Sequence, residues 1–220
     1  MLINTAGGLT GGDSLSFEAH AKAGSMLSLT TQAAERAYRA MPGQIAKIRS
    51  RIRVEADAMV YWLPQETILF EGCALDRNLQ VDLAKDASFL MVEPLVFGRK
   101  AMGETLTDAG FSDRIEIRRD GELAYLDALK LNGDIASHLA RPDVAAGAGA
   151  MASVVWMAPN AASYLAPIRK ALPKTAGASM LQEDILVIRM LAEDSFLLRK
   201  SLVPILNLLT NNSLPRCWMT

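Results

Sequence analysis

Alternation of apolar and polar residues over short segments is the feature that most restricts the fold of this chain. Residues 48–54 read Ile-Arg-Ser-Arg-Ile-Arg-Val, so every second residue is basic and those between are apolar or small. A period of two places successive side chains on opposite faces of a strand. The same period recurs over 15–19, 26–29 and 79–83, while 89–97 is more continuously apolar, which is typical of a strand buried on both faces.

Many short strands at close spacing favour a sandwich, a barrel or a stacked β-coil architecture. Asp120-Gly121 lies between two further apolar runs and predicts a hairpin turn, because both residues tolerate a positive φ. No repeat of fixed length is visible, so the pattern alone does not predict a regular solenoid.

The last third of the sequence mixes strand and helix patterns. Apolar residues at helical spacing predict one helix after Asn160 and another after Asp194, and either side chain is suited to capping a helix. We therefore predict the whole chain to be one domain. It would be mainly β over 1–131, with stacked, β-helix-like or sandwich strands, and an α+β portion with two helices over 132–220.

A glycine-rich run, Asn4-Thr5-Ala6-Gly7-Gly8-Leu9-Thr10-Gly11-Gly12-Asp13, precedes the first alternating strand. Glycine adds no apolar surface, so the run requires either a positive φ or the close approach of another segment or a ligand. A phosphate-binding P-loop ends in Gly-Lys-Ser/Thr and leads into a helix, whereas here Asp13 takes the place of the lysine and a strand follows. The sequence also lacks the preceding strand and the following helix that a dinucleotide-binding turn requires. The run therefore does not predict nucleotide binding.

Charge and composition exclude other classes. The formal net charge is −1 and no long basic run occurs, which argues against nucleic acid as a partner. No apolar run approaches ~18 residues, so no membrane-spanning helix is predicted. Cys73 and Cys217 stand alone, which fits a reduced cytoplasm. His20 and His138 are the only histidines, which argues against a closed zinc site or a histidine-based triad.

Five motifs together resemble one family. They are the glycine-rich run, TTQAAERAYR at 30–39, WLPQETILFEG at 62–72, GELAYLDAL at 121–129 and LPRCWMT at 214–220. In this order and approximate spacing they resemble the urease accessory protein family UreD, called UreH in some organisms. The resemblance covers nearly the whole chain.

The resemblance implies a function without catalysis. Proteins of this family bind the accessory protein UreF, which recruits the GTPase UreG, and the assembly docks on the urease apoprotein to help deliver Ni²⁺. It implies a cytoplasmic protein with no tightly bound cofactor and no catalytic residue, and it admits a dimer of the accessory complex. The family fold is a stack of strands with two helices, in agreement with the alternation described above.

The resemblance also implies an internal, water-filled nickel passage lined in part by carboxylates. Asp13, Glu93 and Asp127 match acidic positions of that passage, and Glu35 matches a lining position that need not be acidic. Carboxylate and water hold Ni²⁺ weakly, whereas several imidazoles or thiolates would trap it. A transit route needs sites that an ion enters and leaves readily.

Three of these acids also have a simpler interpretation. Glu93 stands in an apolar run, where a carboxylate is costly unless it is paired or hydrated, and Arg99 or Lys100 would be a suitable partner. Asp127 follows Leu126 and fits a solvent-facing position equally well. Asp13 fits an Asx-turn that ends the glycine loop.

Two further functions stay open at this stage. One is a β-rich protein-binding module without metal transit. The other is a hydrolase using two of Asp13, Glu93 and Asp127, which requires carboxyls ~5–10 Å apart in an open cleft. In the last motif, Arg216 and Trp218 fit either an anchor for a partner or a structural role.

Members of the family carry about fifty residues before the glycine-rich motif, whereas this chain begins at Met1. This start fits either a misplaced start codon or a true truncation, and in the second case we expect the strand edges that such a segment would pair to be exposed.

Overall fold

The computed structural model describes residues 1–219 and contains two β-sheets and three α-helices. The strands are β1 (Ser14–Ala21), β2 (Met26–Leu29), β3 (Glu35–Ala37), β4 (Ala46–Val54), β5 (Met59–Trp62), β6 (Thr67–Leu69), β7 (Ala74–Leu83), β8 (Ser88–Phe97), β9 (Ala109–Arg119), β10 (Glu122–Gly133), β11 (Ala150–Met157), β12 (Ala176–Gln182) and β13 (Ile185–Ala192). The helices are α1 (Ile135–Ala140), α2 (Ala161–Ala171) and α3 (Ser195–Leu209). The mainly β fold predicted from the alternation is confirmed.

The first sheet has the order β1-β4-β7-β9-β10. Its first four strands are parallel, and β10 returns antiparallel to β9. The turn between β9 and β10 is the predicted Asp120-Gly121 hairpin, with φ of 49° at Asp120 and 81° at Gly121. Positive φ at both positions matches the twist of the flanking strands.

The second sheet has the order β12-β13-β11-β8-β5-β2. β2, β5 and β8 are parallel, and the short strand β3 pairs with β6, which in turn pairs with the later half of β8. β11, β13 and β12 then follow as antiparallel neighbours. The chain therefore alternates between the two sheets as it rises from β1 to β9, building stacked parallel coils.

The coils differ in length, which explains the missing sequence repeat. In the first sheet Ser14 pairs with Lys47, Ala46 pairs with Leu75, and Ala74 pairs with Gly110. The number of residues per coil changes at each step because the loops between strands differ. Stacking is consequently regular in space but not in sequence.

Between the two sheets the apolar side chains form two separate blocks. The first block includes Ile52, Val81, Phe89 and Ile117. The second block includes Leu75, Leu95, Phe97, Phe111 and Leu131. A third cluster lies on the outer face of the second sheet and packs against α2 and α3. The site described below lies where the first two blocks meet.

Two of the three helices begin at a residue whose side chain caps them; Asn160, the expected cap of α2, precedes that helix but makes no side-chain cap hydrogen bond. Asp194 accepts a hydrogen bond from the backbone N–H of Leu197 and caps α3, as predicted. Asp134 caps α1 in the same way through Ser137, and this six-residue helix adds a third helix to the two expected. Within residues 1–219, none of the helices combines the length and apolar character that a membrane crossing requires.

The glycine-rich run shows both features for which glycine was expected, namely positive φ angles and the close approach of another segment. Gly7 has a φ of 78° and Gly12 a φ of 91°. At Gly11 a Cβ would lie 2.8 Å from the Cβ atoms of Ala40 and Gln44, so the neighbouring loop approaches the backbone directly. The run therefore serves packing of the loop between β3 and β4.

Candidate functional site

A row of polar side chains crosses the space between the two sheets and separates the two apolar blocks. Each occupies a position in its strand where the inward-facing neighbours two residues away are apolar. The triplets are Leu75-Arg77-Leu79 on β7, Met91-Glu93-Leu95 on β8, Phe111-Asp113-Ile115 on β9 and Met151-Ser153-Val155 on β11. Because stacked strands are in register, these polar positions meet at one level of the stack.

Arg77 is the centre of this row. Its Nε donates to Asp113 Oδ1 at 3.0 Å and its Nη2 to Asp113 Oδ2 at 2.6 Å. Its Nη1 donates to Glu93 Oε2 at 2.6 Å and to Thr67 Oγ1 at 3.3 Å. The guanidinium also lies 5.6 Å from the centroid of the Phe111 ring. One arginine thus joins the first sheet, through Asp113, to the second sheet, through Glu93.

Glu93 is held from two sides. Its Oε1 accepts a hydrogen bond of 2.7 Å from Trp62 Nε1, and its Oε2 accepts from Arg77. Only 5% of the Glu93 residue surface is exposed. Burial raises the pKa of Glu93, Arg77 counteracts this by stabilising the carboxylate, and the nearby Asp113 raises the pKa further. Together these effects raise the pKa of Glu93 above its ordinary value.

The charge balance of the row favours a protonated arginine. Burial alone would lower the pKa of Arg77, but the two adjacent carboxylates outweigh this effect and raise it. Arg77, Glu93 and Asp113 are all at least nine-tenths buried, so water screens their interactions little. Removing one member would leave an uncompensated buried charge, which is strongly destabilising.

A cavity of about 490 Å³ lies on one side of the row. Its rim includes the exposed residues Ile3 and Gln32, and its floor is formed by the buried side chains of Ser50, Arg77 and Glu93. Its lining is mixed, with apolar groups such as Leu79 beside polar ones. The cavity therefore leads from the surface to the buried charges.

A second, much smaller cavity lies on the other side of the row. Its volume is about 10 Å³, near the lower limit for one water molecule. Glu93, Asp113 and Ser153 line it together with Asp127 and Arg189. Arg189 Nη2 donates to Asp127 Oδ2 at 2.5 Å, and both residues are half-buried. Glu93 is the acid that borders both cavities.

The structure brings together three of the four acids named from the sequence. Glu35 lines the larger cavity and accepts hydrogen bonds of 3.1 and 3.0 Å from Asn4 Nδ2. Glu93 lies between the cavities and Asp127 lines the smaller one. Asp13 lies apart from both linings: it is exposed, and its Oδ2 accepts from the backbone N–H of Thr10. A role for Asp13 in metal transit stays a prediction.

Two expected local arrangements differ in the structure. The partner of Glu93 is Arg77, because Arg99 instead pairs with Glu104, and Lys100 donates to backbone carbonyls. Asp127 does not face solvent like its neighbour Leu126, which is 45% exposed, but turns toward the space between the sheets.

Four polar residues of the site did not emerge from the sequence, namely Arg77, Asp113, Ser153 and Arg189. Their common signal is a polar residue at the inward position of an alternating or apolar strand. In β9, for example, Asp113 stands between the buried Phe111 and Ile115. Recognising it requires the inward face of the strand to be known beforehand.

The acidic side chains near the row are dispersed. Among residues 1–219, no group of three or more His, Cys, Asp or Glu side chains is arranged to hold a metal ion. The acids are spread along the row and the adjoining cavities instead. Glu93, Asp113 and Asp127 are each paired with an arginine, whereas Glu35 accepts hydrogen bonds from Asn4.

The end of the chain is fixed beside the larger cavity. Trp218 is buried and its Nε1 donates to the carbonyl of Leu63 at 3.0 Å. Arg199 on α3 lies 5.0 Å from the centroid of the Trp218 ring and donates to Gln65 Oε1, and Gln65 lines the cavity. Trp218 therefore has a structural role in holding the tail.

The fold and the site define a stacked β protein whose interior carries a row of charged side chains in place of one continuous apolar core. A model of the family described as UreD urease accessory protein matches residues 1–219. The chain belongs to this family.

Several curated relatives are similar over nearly the whole chain. The urease accessory protein UreD of Ruegeria pomeroyi is 59% identical over 218 residues, covering 99% of this chain and 85% of that protein. UreD of Roseobacter denitrificans is 52% identical over 217 residues, with 99% and 80% covered. UreD of Rhizobium etli is 44% identical over 219 residues, covering 99% of this chain and 80% of that protein. Family membership gives this chain a role in urease maturation.

Proposed function

We propose that this chain is a non-catalytic assembly protein that helps deliver Ni²⁺ to urease through the space between its two sheets. The observation that carries the proposal is that Glu93 lines both cavities, while Glu35 lines the larger one and Asp127 the smaller one. Each of these three acids, matched to a nickel passage by sequence, lines at least one of the two cavities, which supports the proposal. Nickel here is cargo and not a resident cofactor.

The chemistry of the line supports transit over storage. Glu35 near the rim gives a first oxygen ligand, Glu93 a second at the centre, and Asp127 a third on the far side. Single carboxylates with water bind Ni²⁺ weakly enough for release. A low-dielectric interior strengthens the Coulomb attraction between a carboxylate and a divalent ion, which offsets part of the cost of removing the ion from water.

The partners proposed are UreF, the GTPase UreG recruited through UreF, and the urease apoprotein, in the cytoplasm. Sequence similarity to UreD proteins supports this assignment. The mouth of the larger cavity, with exposed apolar residues such as Ile3 and Leu15, offers a surface at which a partner would continue the route.

The proposal is tested by neutralising the two inner acids. We expect Glu93→Gln combined with Asp127→Asn to lower the nickel content of co-expressed urease, measured by elemental analysis, by about tenfold or more, since the route loses its central ligands. The matched control is Asp82→Asn with Glu122→Gln, which neutralises two exposed acids of the first sheet. Co-purification with UreF should be unchanged in both.

A scaffold without metal transit is the second candidate, and the arginine pairing favours it. Arg77 and Arg189 each hold an inner acid, so these acids are not bare in this conformation. On this view the double neutralisation would leave urease nickel content unchanged. That result, with intact partner binding, would replace the transit proposal by the scaffold.

A further inference from the structure

We propose that Arg77 gates the passage: its guanidinium closes the route between the two cavities by holding Glu93, and it opens by pivoting on Asp113. This inference rests on the proposed nickel route and concerns how that route is controlled. Arg77 is a positioning residue, and its ion pair with Asp113 retains the guanidinium when it leaves Glu93.

Arg77 is placed where a gate must be. It lines the larger cavity but not the smaller one, whereas Asp113 lines the smaller cavity but not the larger. Their ion pair, together with that between Arg77 and Glu93, fills the level at which the cavities would join. A cation moving from Glu35 toward Asp127 therefore meets a fixed positive charge at Glu93.

The contacts of Arg77 are unequal, which gives the motion a direction. The guanidinium makes a forked pair of hydrogen bonds to Asp113 but a single bond to Glu93. A forked arginine–carboxylate pair is stronger and geometrically more restrictive than a single bond. Release from Glu93 is therefore the easier step, and the Phe111 ring 5.6 Å away supports the guanidinium while Asp113 retains it.

Glu93 remains partly satisfied when Arg77 leaves. Trp62 Nε1 still donates to Oε1, which keeps the carboxylate oriented, while Oε2 becomes available to an incoming cation. A divalent ion at Oε2 replaces the charge of the guanidinium, so the buried carboxylate is compensated in both states. Exchange of one cation for another is thus the event that opens the route.

The first test is Ni²⁺ binding to the purified full chain. Arg77→Gln removes the competing charge and leaves Glu93 and Asp113 without a cation, so we expect Ni²⁺ to bind at least about tenfold more tightly than to the wild type in equilibrium dialysis. Adding Asp113→Asn should reverse most of this gain. The matched control is Arg49→Gln, which breaks the half-exposed Arg49–Asp76 pair elsewhere in the sheet and should leave affinity unchanged.

A merely structural arginine would behave differently. Arg77→Gln would then lower the melting temperature with no change in Ni²⁺ affinity, and that result overturns the gate. If Arg77→Gln does not fold, Arg77→Lys is measured instead, because lysine keeps the positive charge but cannot form the forked pair of hydrogen bonds to Asp113. We expect its Ni²⁺ affinity to rise severalfold, and wild-type affinity in the folded lysine variant overturns the proposal.

The failure of the gate is separable from that of the proposed function. The binding measurement needs no urease, whereas transit is judged from urease nickel content with Glu93 and Asp127 neutralised. If neutralisation has no effect, transit fails whatever Arg77 does. If neutralisation lowers the nickel content of urease but the Arg77 variants bind Ni²⁺ as the wild type does, the transit proposal is retained and the gate is rejected.

Discussion

At the scale of single residues, the buried charges are arranged so that each is compensated by its neighbours. Glu93 accepts hydrogen bonds from Trp62 and Arg77, and Asp113 accepts from the Nε and Nη2 groups of the same guanidinium. Replacing such a network with apolar residues is often neutral or stabilising, while breaking it is costly. A buried network of this kind is therefore weak evidence for a stabilising role, and it agrees with a functional one.

Cys73 gives a residue-scale prediction about alkaline pH. Its side chain is 1% exposed, and burial raises the pKa of the thiol from 9.0 to about 11. Between these values the unfolded chain loses the proton while the folded chain keeps it, so the free energy of unfolding falls as pH rises. We expect this thiol alone to account for about 1–3 kcal/mol of the loss.

Urea unfolding at pH 8.5, 9.5 and 10.5 measures this effect. Cys73→Ala should flatten the decline, whereas Cys217→Ala, at a half-buried cysteine, serves as the control. An equally steep decline in Cys73→Ala and in the wild type would contradict the assignment.

How far the site could be read from the sequence differs residue by residue. The burial of Glu93 follows from its apolar neighbours, and the need for a partner follows from that burial. The identity of the partner does not, because Arg77 lies in another sheet and reaches Glu93 only once the coils are stacked. Arg99 is nearer in sequence, but the chain turns away at Gly98, where φ is 76°.

At the scale of elements, alternation located most strands, and its failures have physical reasons. β12 reads Ala-Gly-Ala-Ser-Met-Leu-Gln and lies at the sheet edge, so small exposed residues conceal its period. β3 has only three residues and α1 only six, too few for a period to be visible. These elements form because neighbouring strands or caps hold them.

The glycine loop allows an element-scale prediction. Gly8 has a φ of 153°, and a Cβ there would lie 2.3 Å from Tyr38 Cε2 and 2.8 Å from the carbonyl oxygen of Arg36. Gly8→Ala forces the backbone of β3 to move, because that oxygen is not part of a flexible side chain. We expect a loss of about 2–4 kcal/mol in the free energy of unfolding.

Gly24→Ala is the matched control for this substitution. Gly24 also has a positive φ, 67°, but a Cβ there meets nothing within 4 Å. Its cost should be limited to backbone strain of about 1 kcal/mol. Equal losses for the two variants, measured by chemical denaturation, would mean that the close approach at Gly8 is not what the glycine serves.

At the scale of the whole molecule, the charged row divides the interior into two apolar blocks. Leu75 belongs to one block and Val81 to the other, although both lie on β7. The two blocks are separate clusters of buried side chains. The free energies lost in Leu75→Ala and Val81→Ala should therefore add in the double variant to within about 0.5 kcal/mol.

The contrasting pair lies within the row. Arg77→Met and Asp113→Leu each remove the partner of the other residue. The double variant should therefore lose about 1–3 kcal/mol less free energy of unfolding than the sum of the two single losses. Strong coupling between Leu75 and Val81, of the same size as that within the row, would show that the two blocks behave as one core.

The coil architecture itself was foreseeable only in outline. Closely spaced alternating strands indicated stacking, but loops of unequal length concealed the repeat, and the antiparallel addition of β11, β13 and β12 depends on which edge of the second sheet is free. Alternation identifies strands and their faces. It does not specify which strands are neighbours.

The row of charged side chains has a consequence for protein engineering. An algorithm that optimises folding energy would fill positions 77, 93 and 113 with aliphatic residues, joining the two halves of the interior and raising the melting temperature. We expect such a thermostable redesign to be a poor helper for urease. Ranking variants of this protein by heat resistance alone would therefore select against the charged residues on which the proposed nickel route depends.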